Sequence, residues 1–134
     1  MFINEAYESL QLVIKPGIPA DVATLMWGPP GIGKSAIVHQ LSAYYECPII
    51  DIRLAQLDPV DVRGIPRIKD DRTKWCIPEM WPVNRTDFGI LFFDEIACAP
   101  PAIQNAALKV IHDRLIDEES LGPYWWIVAA SNKK

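Results

Sequence analysis

The residues with the most definite chemistry are Gly28-Pro29-Pro30-Gly31-Ile32-Gly33-Lys34-Ser35, which satisfy G-x-x-x-x-G-K-[ST] without a mismatch. Glycines there let the backbone wrap around an anion with its N–H groups turned inward, and a helix beginning at the loop's end adds its partial positive charge. Phosphate is the ligand such a loop favours. The cradle would comprise Gly28, Pro29, Pro30, Gly31, Ile32, Gly33, Lys34, Ser35 and the next residue, Ala36. Within it the Lys34 ammonium is expected to reach the β- and γ-phosphates of ATP, and the Ser35 hydroxyl to bind the Mg²⁺ that bridges them. A chance Gly/Pro-rich turn would have to reproduce both the pattern and its flanks, a buried strand at Val22–Trp27 and a helix at Ala36–Tyr45.

Ile90-Leu91-Phe92-Phe93-Asp94-Glu95 is the second such stretch. Four large apolar residues in a row predict a strand buried on both faces, and two carboxylates stand at its end. Ligands of an open parallel sheet sit beyond the carboxyl ends of its strands, so these acids and the phosphate loop are expected to share one crevice. There Asp94 can hold Mg²⁺, directly or through a water, and Glu95 can orient and deprotonate the water that attacks the γ-phosphate. Tyr124 to Ser131 predicts a last buried strand delivering Asn132 to the same edge. Its amide could hydrogen-bond the water and the γ-phosphate, although an isolated Asn at a strand end commonly just forms a turn.

These side chains need a scaffold, and the rest of the chain supplies it. Ala6, Tyr7, Leu10, Val13 and Ile14 recur at helical spacing, predicting an amphipathic helix from Asn4, its cap, to Ile14. Ile18 and Pro19, just before the first strand, can wall an adenine pocket or simply pack as loop. After the loop, Ile37, Val38, Leu41 and Tyr45 form one apolar side of a helix, with His39 on the surface. Pro48 to Arg53 predicts a strand. Leu57 to Gly64 could hold one helical turn, and Ile65–Ile68 can pair with Thr73–Ile77 around a Lys69-Asp70-Asp71-Arg72 turn, with Trp75 and Trp81 exposed. Pro100-Pro101 opens a helix whose stripe is Ile103, Ala106, Ala107, Val110 and Ile111. At its end His112 and Arg114 suit the helix dipole, unless Arg114 faces a partner's nucleotide. Asp117-Glu118-Glu119 is a solvated loop.

Composition narrows the function classes. A 134-residue chain that is 50% hydrophobic is one domain with a real core and not a disordered segment. Its net charge of −4 gives no general attraction to nucleic acid. Cys47, Cys76 and Cys98 form neither C-x-x-C nor a Cys/His cluster and are expected to be buried thiols in a reducing cytosol. The N-terminus lacks a signal-peptide pattern and no stretch is apolar enough to span a membrane, which predicts a cytoplasmic protein without a membrane partner.

The three stretches together resemble the AAA+ ATPase family. Gly28 to Ser35 is similar to its Walker A motif with the Gly-Pro-Pro-Gly opening, Phe92-Phe93-Asp94-Glu95 to Walker B, and Asn132 to sensor 1. Leu57-Asp58-Pro59-Val60-Asp61-Val62-Arg63-Gly64 and Asp94-Glu95-Ile96-Ala97-Cys98-Ala99-Pro100-Pro101 are similar to segments of the MoxR-type branch. The resemblance implies a P-loop NTPase fold, a three-layer α/β/α sandwich with a mostly parallel sheet, and a machine that uses Mg·ATP to remodel protein partners or insert metal cofactors. It also implies a homo-oligomeric ring, usually a hexamer, completed by a neighbour's arginine. Residues 1–134 correspond to the front of that module, Walker A through sensor 1; in the family the fifth strand and helical lid follow. The family's strand order leaves Val22–Trp27 as an open edge here, from which self-association is expected. A small-molecule kinase, or a nucleotide-sensing module that does not hydrolyse, are the other readings of the phosphate loop.

Overall fold

The computed structural model describes residues 3–20, 22–28, 33–58, 61, 65–116 and 119–132, with all their side chains but those of 3–6, 65, 67, 74–75 and 132. Helix α1 (Ile3–Val13) precedes strand β1 (Thr24–Gly28), which leads to helix α2 (Lys34–Tyr45) and strand β2 (Ile49–Arg53). A hairpin, β3 (Ile65–Lys69) and β4 (Arg72–Cys76), follows, then β5 (Gly89–Asp94), helix α3 (Pro101–Asp113), a miniature hairpin of β6 (Leu115–Ile116) and β7 (Glu119–Ser120), and β8 (Trp125–Asn132). The main sheet runs β1-β8-β5-β2 with every pairing parallel. Helices cover both of its faces, so the chain has the three-layer α/β/α architecture expected of a P-loop NTPase.

Strands β5 and β8 are apolar almost throughout because each is buried on both faces. Ile90, Phe92, Trp126, Val128 and Ala130 face α1 and α2, meeting Leu10, Ile14, Ile37, Val38 and Leu41. Leu91, Phe93, Trp125, Ile127 and Ala129 face α3, meeting Ile103, Ala107 and Val110. Fully burying a side chain of this size contributes about 1.5–3 kcal/mol, so the two central strands anchor the domain. The Tyr45 hydroxyl, donating to the Ile14 carbonyl at 2.7 Å, ties α2 to α1. Among the described residues β1 pairs with β8 alone, and Leu25 and Trp27 are exposed.

Several local expectations change. The hairpin turn is tighter than the four-residue one expected: Lys69 and Arg72 form its closing pair, and Asp70 and Asp71 both adopt positive φ, 52° and 61°. That is the two-residue turn whose twist matches the strands, and Asp tolerates the left-handed region better than most residues. Trp81 is not exposed. It is 3% exposed, lies 6.0 Å from the Phe93 ring and donates Nε1–H to the Asp61 carbonyl at 2.8 Å, because the irregular segment folds back as a lid on the α3-side core. Only Cys47 is even partly buried, and burial pushes its thiol up. Cys76 ends a hairpin strand and Cys98 sits in a short turn, both outside the cores and exposed. The side chains of Asn4 and Trp75, most of the Leu57–Gly64 segment, and Asp117 and Glu118 lie outside the described residues.

Candidate functional site at the carboxyl edge of the sheet

Strand β1 ends at Gly28, at the carboxyl edge of the sheet, and α2 begins at Lys34. Gly33 caps the helix with φ 79° and ψ 29°, a left-handed conformation that glycine adopts without strain. Its carbonyl accepts the first helical hydrogen bond, from the Ile37 N–H at 3.0 Å. Lys34 and Ser35 occupy the first turn, half-buried, and Ala36 is exposed. Amides of a first turn have no intrahelical acceptor, and this turn carries no acidic residue to compete with an anion. Pro29, Pro30, Gly31 and Ile32 lie outside the described residues.

Register brings the other expected groups to the same edge. Gly28 shares a rung with Asn132, the last residue of β8, whose side chain lies outside those described. On the far side of β8, strand β5 ends at Asp94, which shares a rung with Arg53 at the end of β2. Ile90 and Phe92 face α2, and alternation continues that face to Asp94. Neighbouring strands lie about 4.8 Å apart, so β1 and β5, with only β8 between them, are separated by about 10 Å. Glu95 follows at φ 58°, turning the chain out of the strand into a 3₁₀ turn, Ile96–Cys98. Gln104 on α3 steadies that turn by donating Nε2–H to the carbonyls of Ala97 at 3.2 Å and Ala99 at 2.8 Å.

Electrostatics favour a cation at Asp94. Burial pushes its carboxyl above the usual range, and the negative charges of Asp51 and Glu95 push the same way, against a hydrogen bond from the Glu95 backbone and the positive charge of Arg53. A divalent ion would relieve that crowding. Among the described residues no three His, Cys, Asp or Glu side chains gather as a metal cage. One carboxylate and the Ser35 hydroxyl suit Mg²⁺, which keeps much of its water and takes oxygens from phosphate.

Sequence reasoning missed three supports of this edge. His39 is exposed as expected but is paired, its Nε2 lying 2.7 Å from Asp51 Oδ2, which links α2 to β2. Arg53 and Gln104 were also unflagged, because their partners are set by strand register and helix packing and not by local spacing. Ala20 donates its N–H to the Pro123 carbonyl at 2.7 Å, just before the start of β8, and Ile18, two residues earlier, is 50% exposed. Arg114 caps α3 at φ 56° and turns inward, donating to the carbonyls of Gly122 at 2.9 Å and Trp125 at 2.8 Å. That is the far end of β8, and a guanidinium spent on backbone carbonyls does not face a partner's nucleotide.

The AAA domain profile, dynein-related subfamily, matches residues 23–132, from the start of β1 to the end of β8. The chain belongs to this AAA domain family. Solved structures agree with the fold of this AAA domain at low sequence identity. A RuvB point mutant from Thermotoga maritima is 19% identical with a TM-score of 0.60, the match covering 98% of this chain and 37% of that one. A proposed ATPase from Cytophaga hutchinsonii is 21% identical with a TM-score of 0.59, covering 98% and 39%. NtrX from Brucella abortus is 19% identical with a TM-score of 0.57, covering 98% and 29%. The chain thus spans well under half the length of each of these structures. No curated protein matches it. Among the described residues of the AAA domain, no helix is long and apolar enough to cross a membrane.

Proposed function

We propose that this AAA domain binds Mg·ATP and hydrolyses it to ADP and phosphate. The observation that carries the reading is the register at the carboxyl edge: Gly28 level with Asn132, Asp94 one strand further on, and the first turn of α2 beginning beside them. In this reading the loop from Gly28 to Gly33 and the amides of Lys34, Ser35 and Ala36 hold the phosphates, with the Lys34 ammonium on the β- and γ-groups. Ser35 and Asp94 hold Mg²⁺, which supplies charge neutralisation between the phosphates when bound. Glu95 takes the proton from the attacking water, and Asn132 orients that water against the γ-phosphate.

The finer assignment is a MoxR-type AAA+ protein, cytoplasmic and working as a homo-oligomeric ring, that couples turnover to remodelling a protein partner or inserting a metal cofactor. It is supported by the likeness of Leu57–Gly64 and Asp94–Pro101 to that branch. Arginines supplied in trans contribute about 10³–10⁵ in rate, so this chain by itself should bind nucleotide well and turn over slowly.

Two substitutions test the proposal. Lys34→Ala should abolish nucleotide binding, measured by equilibrium titration with a fluorescent ATP analogue. Glu95→Gln should keep binding and lower phosphate release by about 10²–10⁴-fold, the usual contribution of a general base. An unchanged rate in Glu95→Gln would refute the hydrolase reading, and ATP consumption only with a second small substrate present would replace it with a kinase.

A further inference from the structure

Arg53 ends β2 on the same rung as Asp94, the last residue of β5. Neighbouring strands lie about 4.8 Å apart, so its backbone stands beside that of the carboxylate proposed to hold Mg²⁺. The face is right as well as the level. Asp51, two residues earlier, meets His39 of α2, so alternation puts Arg53 on the α2 side too. Asp94 continues the face of Ile90 and Phe92 toward that same helix. Its first turn carries Lys34 and Ser35.

Two carboxylates lie close to this cation in the sheet, and it is spent on neither. Asp51 is taken by His39 at 2.7 Å. The positive charge of Arg53 acts on Asp94, yet among the described residues Arg53 makes no ion pair and no hydrogen bond. The side chain is exposed, bordering an open hollow of about 440 Å³ shared with Asp51, Gln56, Leu57 and Met80. A guanidinium presents five donors in a planar fork that matches phosphate oxygens. Mg²⁺ held at Asp94 takes oxygens from phosphate, which brings the terminal group of a bound nucleotide to the rung that Arg53 shares.

We propose that Arg53 contacts the terminal phosphate of ATP, its guanidinium donating from the β2 side while Lys34 reaches in from α2, and that it lets the site tell ATP from ADP. ADP lacks the acceptor, so the contact strengthens binding of the triphosphate alone. The inference rests on the Mg·ATP reading of the loop and of Asp94.

Equilibrium titration of the full chain with Mg²⁺ and either a non-hydrolysable fluorescent ATP analogue or fluorescent ADP tests it without turnover. Arg53→Ala should weaken the ATP analogue by about 10–100-fold, as for a lost hydrogen bond between charged groups, and leave ADP unchanged. Arg53→Lys, which keeps the charge and loses the fork, should restore only part of the difference. The melting temperature of the nucleotide-free protein should not move in either variant. An unchanged affinity for the ATP analogue overturns the proposal, since that is the behaviour of a solvated cation. Equal losses for both nucleotides overturn it too, because Arg53 would then act on the metal through Asp94. If Lys34→Ala abolishes binding while Arg53→Ala keeps the wild-type ratio of the two affinities, this inference alone falls. If Lys34→Ala binds both nucleotides normally, the Mg·ATP reading falls with it.

Discussion

Gly89 opens β5, the strand that ends in Asp94, and it is the position where one added carbon should do most harm. A Cβ there would lie 2.5–2.6 Å from three atoms of the Trp125 ring, whereas carbon atoms in ordinary contact sit about 3.5–4.0 Å apart. The ring would have to withdraw by about 1 Å. It has little room, being fully buried, stacked under the Arg85 guanidinium at 4.7 Å and donating Nε1–H to Asp87 Oδ1 at 3.3 Å. Forcing a methyl into a packed core destabilises by about 1–3 kcal/mol, and a displaced cation–π contact adds about 0.5–1 kcal/mol. The stiffer unfolded chain returns about 0.4–1 kcal/mol. Gly89→Ala should therefore be less stable by about 1–3 kcal/mol, which at a urea slope of roughly 2 kcal/mol per molar lowers the midpoint by about 0.5–1.5 M. Urea titration followed by far-ultraviolet circular dichroism measures this. Trp125→Leu supplies the control, since without the ring the added methyl should be tolerated and a double-mutant cycle should show coupling above about 1 kcal/mol. An unchanged midpoint in Gly89→Ala, or the same loss with and without the ring, would refute the packing account.

Two further outcomes follow from the site's electrostatics and its surroundings. Asp94 holds its proton more tightly in the folded chain than in the unfolded one, because burial and the charges of Asp51 and Glu95 outweigh Arg53. The sign is then fixed: stability is greatest below the ordinary carboxyl range and is lost as pH rises through the raised folded value, so the ionised group destabilises at neutral pH. Asp94→Asn should raise the melting temperature of the nucleotide-free protein at pH 7, by less at pH 4, and abolish the extra stabilisation that Mg·ATP gives the wild type. An equal melting temperature at pH 7 would contradict it. Arg114→Met should take the guanidinium donors from the Gly122 and Trp125 carbonyls and lower stability by about 1–3 kcal/mol in thermal denaturation, yet leave single-turnover hydrolysis well below the melting temperature unchanged. Normal stability with lost hydrolysis would return Arg114 to the nucleotide.

What could be seen in the sequence were the features that local rules dictate. The apolar run Ile90–Phe93 had to be a two-sided strand, Gly33 had to sit where a helix starts with positive φ, and Pro101 had to open α3. Strand β8 was equally legible, from Trp125 to the Asn that ends it. Features set by tertiary folding were not. Trp81 looks like a surface aromatic among prolines until the segment around it closes over Phe93. Arg114 looks like a dipole partner or a free cation until the β6–β7 hairpin brings the Gly122 carbonyl to it. His39 and Asp51 lie on successive elements, and only the packing of α2 on β2 makes them a pair.

The order β1-β8-β5 gives the longest strand a bridging duty. Among the described residues the strands that end in Gly28 and Asp94 share no ladder; each is stitched to a different flank of β8. A tug on Gly28 can travel as shear along that ribbon of backbone, or down α2, whose Ile37, Val38 and Leu41 press on Ile90 and Phe92 of β5. Strand and helix are thus two mechanical relays to one carboxylate, and Asn132, level with Gly28, is where the first of them begins.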